Sequence, residues 1–186
     1  RLDEAIAAVD DAIRVRPDYA VSYFKRGFLY QSAGDLSRAM ADFNESIRLG
    51  ENFPEAFFAR GSAFYGRGEY LLAIEDLSEA VQLDPNHSSA FNNRGLAYAR
   101  LGFLEAAVQD FTQAIVLDHE FALAFNNRGF TYRDLGQLAN AVDDLTVAIA
   151  LDPDLGMARY NRAVTFALLD RNEEAQADAS KAIEMG

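Results

Sequence analysis

The chain of 186 residues contains no cysteine, no tryptophan and only two histidines. The lack of cysteine excludes a disulfide framework, a thiol nucleophile and a cysteine zinc site. The histidines, His87 and His119, fall in predicted turns at unrelated positions, so they indicate neither a catalytic dyad nor a metal cluster. We therefore predict no enzyme activity, no cofactor and no metal in this chain.

Long apolar runs are also missing, since none approaches the roughly 18–20 residues that a membrane-spanning helix needs. Positive charge is scarce: 17 lysines and arginines face 29 aspartates and glutamates, for a formal net charge of −12. The missing apolar run predicts no membrane span. An acidic chain does not favour phosphate backbones, so we also expect no nucleic acid binding. The absence of cysteine leaves the compartment open, and of the alternatives we favour the cytoplasm.

What the chain does have is a period of 34 residues, marked by an arginine–glycine pair that recurs at Gly27, Gly61, Gly95 and Gly129. A fixed period predicts stacked copies of one supersecondary unit, and it favours an extended surface over a single catalytic pocket. In register, residues 1–19 form the second half of a truncated repeat, and the full repeats are 20–53, 54–87, 88–121 and 122–155. Residues 156–186 form a divergent terminal repeat. Because the chain opens within a repeat, we interpret it as a fragment of a longer protein.

Each repeat is predicted to contain two helices. In the repeat that starts at Ser88, Phe91 and Tyr98 lie on one face of a first helix, and Ala107 and Phe111 lie on one face of a second. The connections are only a few residues long, so neighbouring helices must pack antiparallel. The sequence therefore predicts an all-α fold of eleven helices.

Two further series follow the same period. Glycine within a helix costs about 1 kcal/mol relative to alanine, so Gly95 and its equivalents need a packing reason, and we expect Gly95 to face the paired helix opposite Ala107. Arg94 and Asp110 also recur in all five repeats. We interpret them as a structural ion pair that ties helix to helix. The alternative is a strip of arginines that grips an acidic ligand.

The complete pattern is aromatic-x-x-x-Gly-x-x-Tyr, then Gly, then Ala-x-x-x-Phe-x-x-Ala and Pro, every 34 residues. It resembles the tetratricopeptide repeat (TPR) family along essentially the whole chain. The resemblance implies a right-handed superhelical solenoid of antiparallel helix pairs, with the first helices lining a concave groove. The last repeat departs from the pattern at Arg159, Ala163, Asp170 and Ala179, which is typical of a terminal, capping-like repeat.

We number slots from the first residue of each repeat. The resemblance implies that slots 2, 5, 6, 9, 12 and 13 point into the groove. Asn93, Asn127 and Asn161 occupy slot 6 of three successive repeats, with Asn92 and Asn126 beside them. An amide carries a donor and an acceptor side by side, so it can hold a peptide backbone through two hydrogen bonds. This arrangement resembles the asparagine ladder of the O-linked N-acetylglucosamine transferase family. The alternative is that the asparagines bond neighbouring helices or water.

The predicted function is a protein–protein interaction module that binds an extended peptide or a helix of a partner protein in this groove. One alternative is a self-associating scaffold, a homo-oligomer that stacks end to end through residues 1–19. The other is a regulatory or recruitment domain of a larger multidomain protein or enzyme. The lysines that clamp a chaperone tail in this family are missing from slot 2 of the last three repeats. Beside the asparagines, the predicted peptide-binding residues are Phe24, Phe58, Tyr65, Leu96, Arg100, Phe130, Arg133 and Tyr160.

Overall fold

The computed structural model describes residues 1–50 and 52–185, so Glu51 in the repeat 20–53 and Gly186 in the repeat 156–186 lie outside the described residues. Within these ranges the chain is all-α, with eleven helices and no strand. The helices are α1 (Leu2–Val15), α2 (Ala20–Ser32), α3 (Leu36–Leu49), α4 (Pro54–Gly66), α5 (Tyr70–Leu83), α6 (Ser88–Arg100), α7 (Leu104–Leu117), α8 (Ala122–Asp134), α9 (Leu138–Leu151), α10 (Gly156–Leu168) and α11 (Asn172–Met185).

The helices belong to two compact units, residues 1–90 and residues 91–186, whose boundary falls within α6. In the first unit α2 packs on α3 and α4 packs on α5, and α3 also contacts α4. In the second unit α8 packs on α9 and α10 packs on α11, while α7 contacts α8 and α9 contacts α10. Consecutive helix pairs are therefore the building block of each unit, as the 34-residue period predicts.

The turn inside each repeat depends on backbone conformation. The residue two positions before the second helix has a positive φ, between 75° and 82° at Gly34, Gly68, Gly102 and Gly136. Glycine adopts this left-handed region without steric cost, which is why it ends the first helix and sets the sharp turn. In the last repeat Asp170 takes the same role with a φ of 59°. Aspartate tolerates this region better than most residues because its short side chain bonds locally.

The helix glycines allow the two helices of a repeat to approach closely. A Cβ atom added at Gly95 would lie 2.8 Å from Cε1 of Phe111, which is fully buried. The prediction that this glycine faces its paired helix is confirmed, although its nearest neighbour is Phe111 rather than Ala107. The equivalent Cβ atoms would meet Phe43 at Gly27, Leu77 at Gly61 and Leu145 at Gly129, at 2.7–2.9 Å.

The predicted arginine–aspartate pairs are confirmed in all five repeats. Arg94 donates from Nε and Nη2 to the two carboxylate oxygens of Asp110, both at 2.8 Å. Asp110 is buried, and its hydrogen bonds raise the pKa of Arg94 in spite of the burial of that guanidinium. The same bidentate geometry joins Arg26 to Asp42, Arg60 to Asp76, Arg128 to Asp144 and Arg162 to Asp178.

The same arginines also reach the repeat before their own. Nη1 of Arg128 donates to Oγ1 of Thr112 at 3.0 Å, and Nη1 of Arg162 donates to Oγ1 of Thr146 at 3.0 Å. In the first unit the corresponding acceptors are Asp10 for Arg26 and Asn44 for Arg60, each at 2.7 Å. Each of these guanidinium groups thus joins three helices, two of its own repeat and one of the preceding repeat.

Candidate functional site

The five predicted asparagines of the second unit form one hydrogen-bonded relay. Asn161 donates from Nδ2 to Oδ1 of Asn126 at 2.9 Å, and Asn127 donates in the same way to Asn92 at 3.0 Å. Within a repeat, Asn126 donates to Asn127 and Asn92 donates to Asn93, each at 3.2 Å. The relay therefore runs head to tail across α10, α8 and α6.

Burial separates the relay residues into two groups. Asn92, Asn126 and Asn161 are only 5%, 2% and 5% exposed, whereas Asn93 and Asn127 are half-buried. An amide that is buried without a partner would be costly, and the relay satisfies these groups by bonding them to one another. The sequence left open whether the asparagines hold a peptide or bond neighbouring helices. The hydrogen bonds between neighbouring helices are present. Asn127 is therefore a half-buried member of the relay that also lines a cavity.

That cavity has a volume of about 420 Å³ and lies among α6, α7, α8 and α10. Six of the predicted site residues line it, namely Leu96, Arg100, Asn126, Asn127, Phe130 and Asn161. Its volume is within the usual range of binding clefts, about 300–1,000 Å³. The wall combines the apolar side chains of Leu96, Phe130 and Met157 with the charged residues Arg100 and Asp134.

Phe130 is held at the edge of this cavity by its neighbour Arg133. The guanidinium of Arg133 lies 4.2 Å from the centroid of the Phe130 ring and donates to Asp134 at 3.0 Å. Its side chain is only 15% exposed. Phe130 itself remains 40% exposed. Arg133 therefore positions two residues that line the cavity.

The other predicted residues lie elsewhere. Tyr160 is 59% exposed and borders a separate apolar depression beside α11. In the first unit Phe24 packs against the core and meets Phe43 and Phe53 ring to ring. The ring centroids of Phe58 and His87 lie 4.5 Å apart with the ring planes tilted by 38°, and the ring of Tyr65 contacts that of Tyr70. These three aromatic rings are half-buried and belong to the first unit.

Sequence reasoning missed the threonines that support the relay. Thr131 lines the cavity, is almost fully buried and donates from Oγ1 to the backbone oxygen of Asn127 at 2.8 Å. Thr165 donates in the same way to Asn161 at 2.8 Å. The sequence does contain a signal for them, because Thr131 and Thr165 are 34 residues apart. Each lies four positions after an asparagine of the relay, Asn127 or Asn161.

The described part of the chain offers neither a metal-binding cluster nor a helix that could cross a membrane. Among residues 1–50 and 52–185, no group of three or more histidine, cysteine, aspartate and glutamate side chains could hold a metal ion. Within the same ranges, no helix has both the length and the apolar character required to cross a membrane.

Comparison with protein families matches most of the chain to tetratricopeptide models. A model described as "TPR repeat" matches residues 61–102. Two models described as "Tetratricopeptide repeat" match residues 88–119 and 122–155 in one case, and residues 1–56 in the other. A comparison with curated protein sequences gave no significant match.

Several solved structures share the fold. YrrB, described as a TPR protein with an unusual peptide-binding site, is 23% identical, covers 97% of this chain and 93% of its own, and superposes with a TM-score of 0.81. MamA from Desulfovibrio magneticus RS-1 is 21% identical over 89% of this chain and 94% of its own, with a TM-score of 0.81. PilF of Pseudomonas aeruginosa is 19% identical over 90% of this chain and 76% of its own, also with a TM-score of 0.81.

Proposed function

Because the chain belongs to the tetratricopeptide repeat family, we propose that it is a protein-interaction module that binds an extended peptide of a partner protein in the cavity among α6, α8 and α10. YrrB is described as having a peptide-binding site, and we extend peptide binding, though not the location of that site, to this chain as part of the proposal. The observation that carries the proposal is the cavity wall, where relay amides lie beside an exposed aromatic ring.

The apolar part of the wall would select side chains of the peptide. Phe130 and Met157 are 40% and 59% exposed, although large apolar side chains are usually buried. Aromatic residues at the centre of a contact commonly contribute most of the binding energy. We therefore assign Phe130, Met157 and Leu96 to one or two apolar side chains of the ligand.

The polar part would hold the peptide backbone through Asn127. An asparagine amide has two N–H donors and an oxygen with two lone pairs. Within the described residues, the relay uses one N–H of Asn127, toward Asn92, and one lone pair, toward Asn126. One donor and one acceptor remain at a half-buried position beside the cavity, which is the pair that a peptide unit needs. The more buried relay asparagines would act indirectly, by fixing the orientation of this amide.

The charged residues would determine the register of the ligand. Arg100 and Asp134 line the same cavity and carry opposite charges. A ligand with one acidic and one basic side chain, spaced to lie near both, would complement their charges, whereas the reversed order would place like charges together. We therefore propose a partner segment with an apolar centre and oppositely charged flanks.

A peptide-array selection tests this proposal. Fluorescence anisotropy would compare binding of the selected peptides by the wild-type chain and by the variants Phe130→Ala and Met157→Ala. The matched control is Phe28→Ala, because Phe28 occupies the same slot in the repeat 20–53, is 56% exposed and lies outside the cavity. Binding should weaken about tenfold or more in the two cavity variants, as expected for an aromatic anchor, and stay unchanged in the control. Equal loss in the Phe28 variant would contradict the proposed location.

A further inference from the structure

Methionine is the only sulfur-containing residue type in this chain, which has three methionines and no cysteine. In a chain without thiols, the thioether sulfur of methionine is the group that peroxides oxidise most readily, and exposure controls the reaction in a folded protein. Met40 is 9% exposed in the core and Met185 is half-buried, whereas Met157 is 59% exposed. Met157 is therefore the methionine that a peroxide reaches most readily.

The exposure of Met157 is a property of its slot and not of the last repeat. Met157 occupies slot 2 of the repeat 156–186, and Leu123 occupies slot 2 of the repeat 122–155. Leu123 is 46% exposed although another repeat follows it in the structure. Slot 2 is thus open to solvent in an internal repeat as well. At this slot Met157 lines the same cavity as Asn126 and Phe130.

The sulfur of Met157 contacts the asparagine relay. Nδ2 of Asn126 donates to Oδ1 of Asn127 at 3.2 Å and also donates to Sδ of Met157 at 4.0 Å. Thioether sulfur is only a weak acceptor. Because Asn126 is 2% exposed, its second N–H has a weak acceptor and little access to water. An oxygen atom attached to this sulfur would give the buried donor a strong acceptor.

Oxidation by hydrogen peroxide supplies that oxygen atom. A lone pair of the Met157 sulfur attacks one peroxide oxygen, so that an S–O bond forms while the O–O bond breaks. The hydroxide that leaves takes the proton of the transferred hydroxyl group and becomes water. The sulfur gives up an electron pair and is oxidised to the sulfoxide, and the peroxide is reduced. The product is a polar side chain in place of a flexible apolar one.

We propose that Met157 is an oxidation site that regulates the cavity. The sulfoxide oxygen would accept the second N–H of Asn126, and the cavity wall would lose one of the apolar side chains that we assign to the ligand. The oxidant is a peroxide, and a methionine sulfoxide reductase supplied with a thiol would restore the thioether. The effect on peptide binding rests on the proposed function, whereas the reactivity of Met157 and its contact with Asn126 do not.

Mass spectrometry and NMR of peroxide-treated chain test the oxidation site. Peptide mapping should show that Met157 gains an oxygen atom about tenfold or more faster than Met40 in the folded chain, and at a similar rate in urea. The side-chain amide signals of Asn126 should shift on oxidation. Those of Asn140, which is exposed and lies outside the cavity, should not. Equal rates for the two methionines in the folded chain, or unchanged Asn126 signals, would overturn the proposal.

Anisotropy with a peptide selected on the untreated chain tests the regulation. Peroxide should weaken binding about tenfold in the wild type and in the control Met185→Leu, and methionine sulfoxide reductases should restore it. In Met157→Leu, peroxide should not change the affinity, whatever its value before treatment. An unchanged affinity in the oxidised wild type, or an equal loss in Met157→Leu, would overturn the regulation. If no peptide binds the untreated chain, the proposed function and the regulation fail together, and the oxidation rates and Asn126 signals still decide the oxidation site.

Discussion

Asn127 donates a 3.0 Å hydrogen bond to Asn92, which lies one slot earlier in the preceding repeat. Asn161 has the same relationship to Asn126 at 2.9 Å. The asparagines that the sequence predicts to bind a peptide therefore join neighbouring repeats. The observed role and the proposed role have different consequences when the side chain is removed, and the variants below separate them.

Asn126→Ala should lower the free energy of unfolding. Asn126 is 2% exposed, accepts from Asn161 and donates to Asn127, so truncation leaves two amides without their partner. The expected loss is about 1–3 kcal/mol. Urea unfolding followed by circular dichroism would measure it. Asn140→Ala is the control, because Asn140 is exposed and bonds only locally to Gln137 in the described structure, and its unfolding midpoint should not move. A loss of peptide binding by Asn126→Ala at unchanged stability would show that the amide contacts ligand rather than its neighbours.

Gly95→Leu should destabilise the repeat by overpacking. An added Cβ atom would lie 2.8–3.1 Å from three atoms of the buried Phe111 ring. We expect the free energy of unfolding to fall by about 1–3 kcal/mol. Gly66→Leu is the control, since a Cβ atom there would meet nothing within 4 Å. Thermal unfolding of both variants decides the point: equal melting temperatures would rule out the close helix contact as the reason for the recurrent glycine.

Asp110→Ala should be among the most damaging single substitutions. It leaves the guanidinium of Arg94, whose side chain is 17% exposed, without its bidentate partner. Removal of one member of a buried pair typically costs about 3–5 kcal/mol, and the partial exposure of Arg94 places the expectation at about 3 kcal/mol. Asp11→Ala breaks an exposed pair with Arg14 and should cost less than about 1 kcal/mol. Comparable effects of the two variants in guanidinium unfolding would refute a structural role of the arginine–aspartate series.

The stabilising effect of Asp35 should depend on pH. Asp35 accepts hydrogen bonds from the backbone nitrogen of Arg38 and from its side chain, and these bonds lower the pKa of Asp35 below its usual value of 3.8. A carboxylate whose pKa is lowered by folding stabilises the folded state above its unfolded pKa, and the effect is lost as the pH falls through the folded pKa. The stability difference between the wild type and Asp35→Ala should therefore be constant near neutral pH and shrink below about pH 4. A difference that is independent of pH down to pH 2 would contradict this assignment.

The fold follows from the sequence because its signals are repeated and local. Gly95 and the large apolar residue Phe111 lie in the two helices of one repeat, and the same contact recurs as Gly27 with Phe43 and as Gly129 with Leu145. Each repeat predicts the same contact between its two helices, so a departure from the pattern in one repeat does not change the predicted fold. The arginine–aspartate pairs could be predicted for the same reason: both members recur at one period.

The site was less predictable, because exposure and hydrogen bonding depend on rotamers and neighbouring helices. The sequence places Asn92 and Asn127 in adjacent slots of different repeats but does not show whether the amides bond each other or a ligand. It also treats Phe24 and Phe130 alike, although Phe24 packs into the core and Phe130 remains 40% exposed. The sequence predicts Arg133 as a peptide-binding residue but does not show that its guanidinium lies over the Phe130 ring.

The central claim is that the cavity of the second unit binds an extended peptide, and a titration followed by NMR tests it most directly. A selected peptide would be added to isotopically labelled chain while the side-chain amide signals of asparagine and the ring signals of phenylalanine are recorded. The account predicts saturable shifts at Asn127 and Phe130, with no shift at Phe28 or Asn140. Binding that shifts signals elsewhere and leaves Asn127 and Phe130 unchanged would contradict it.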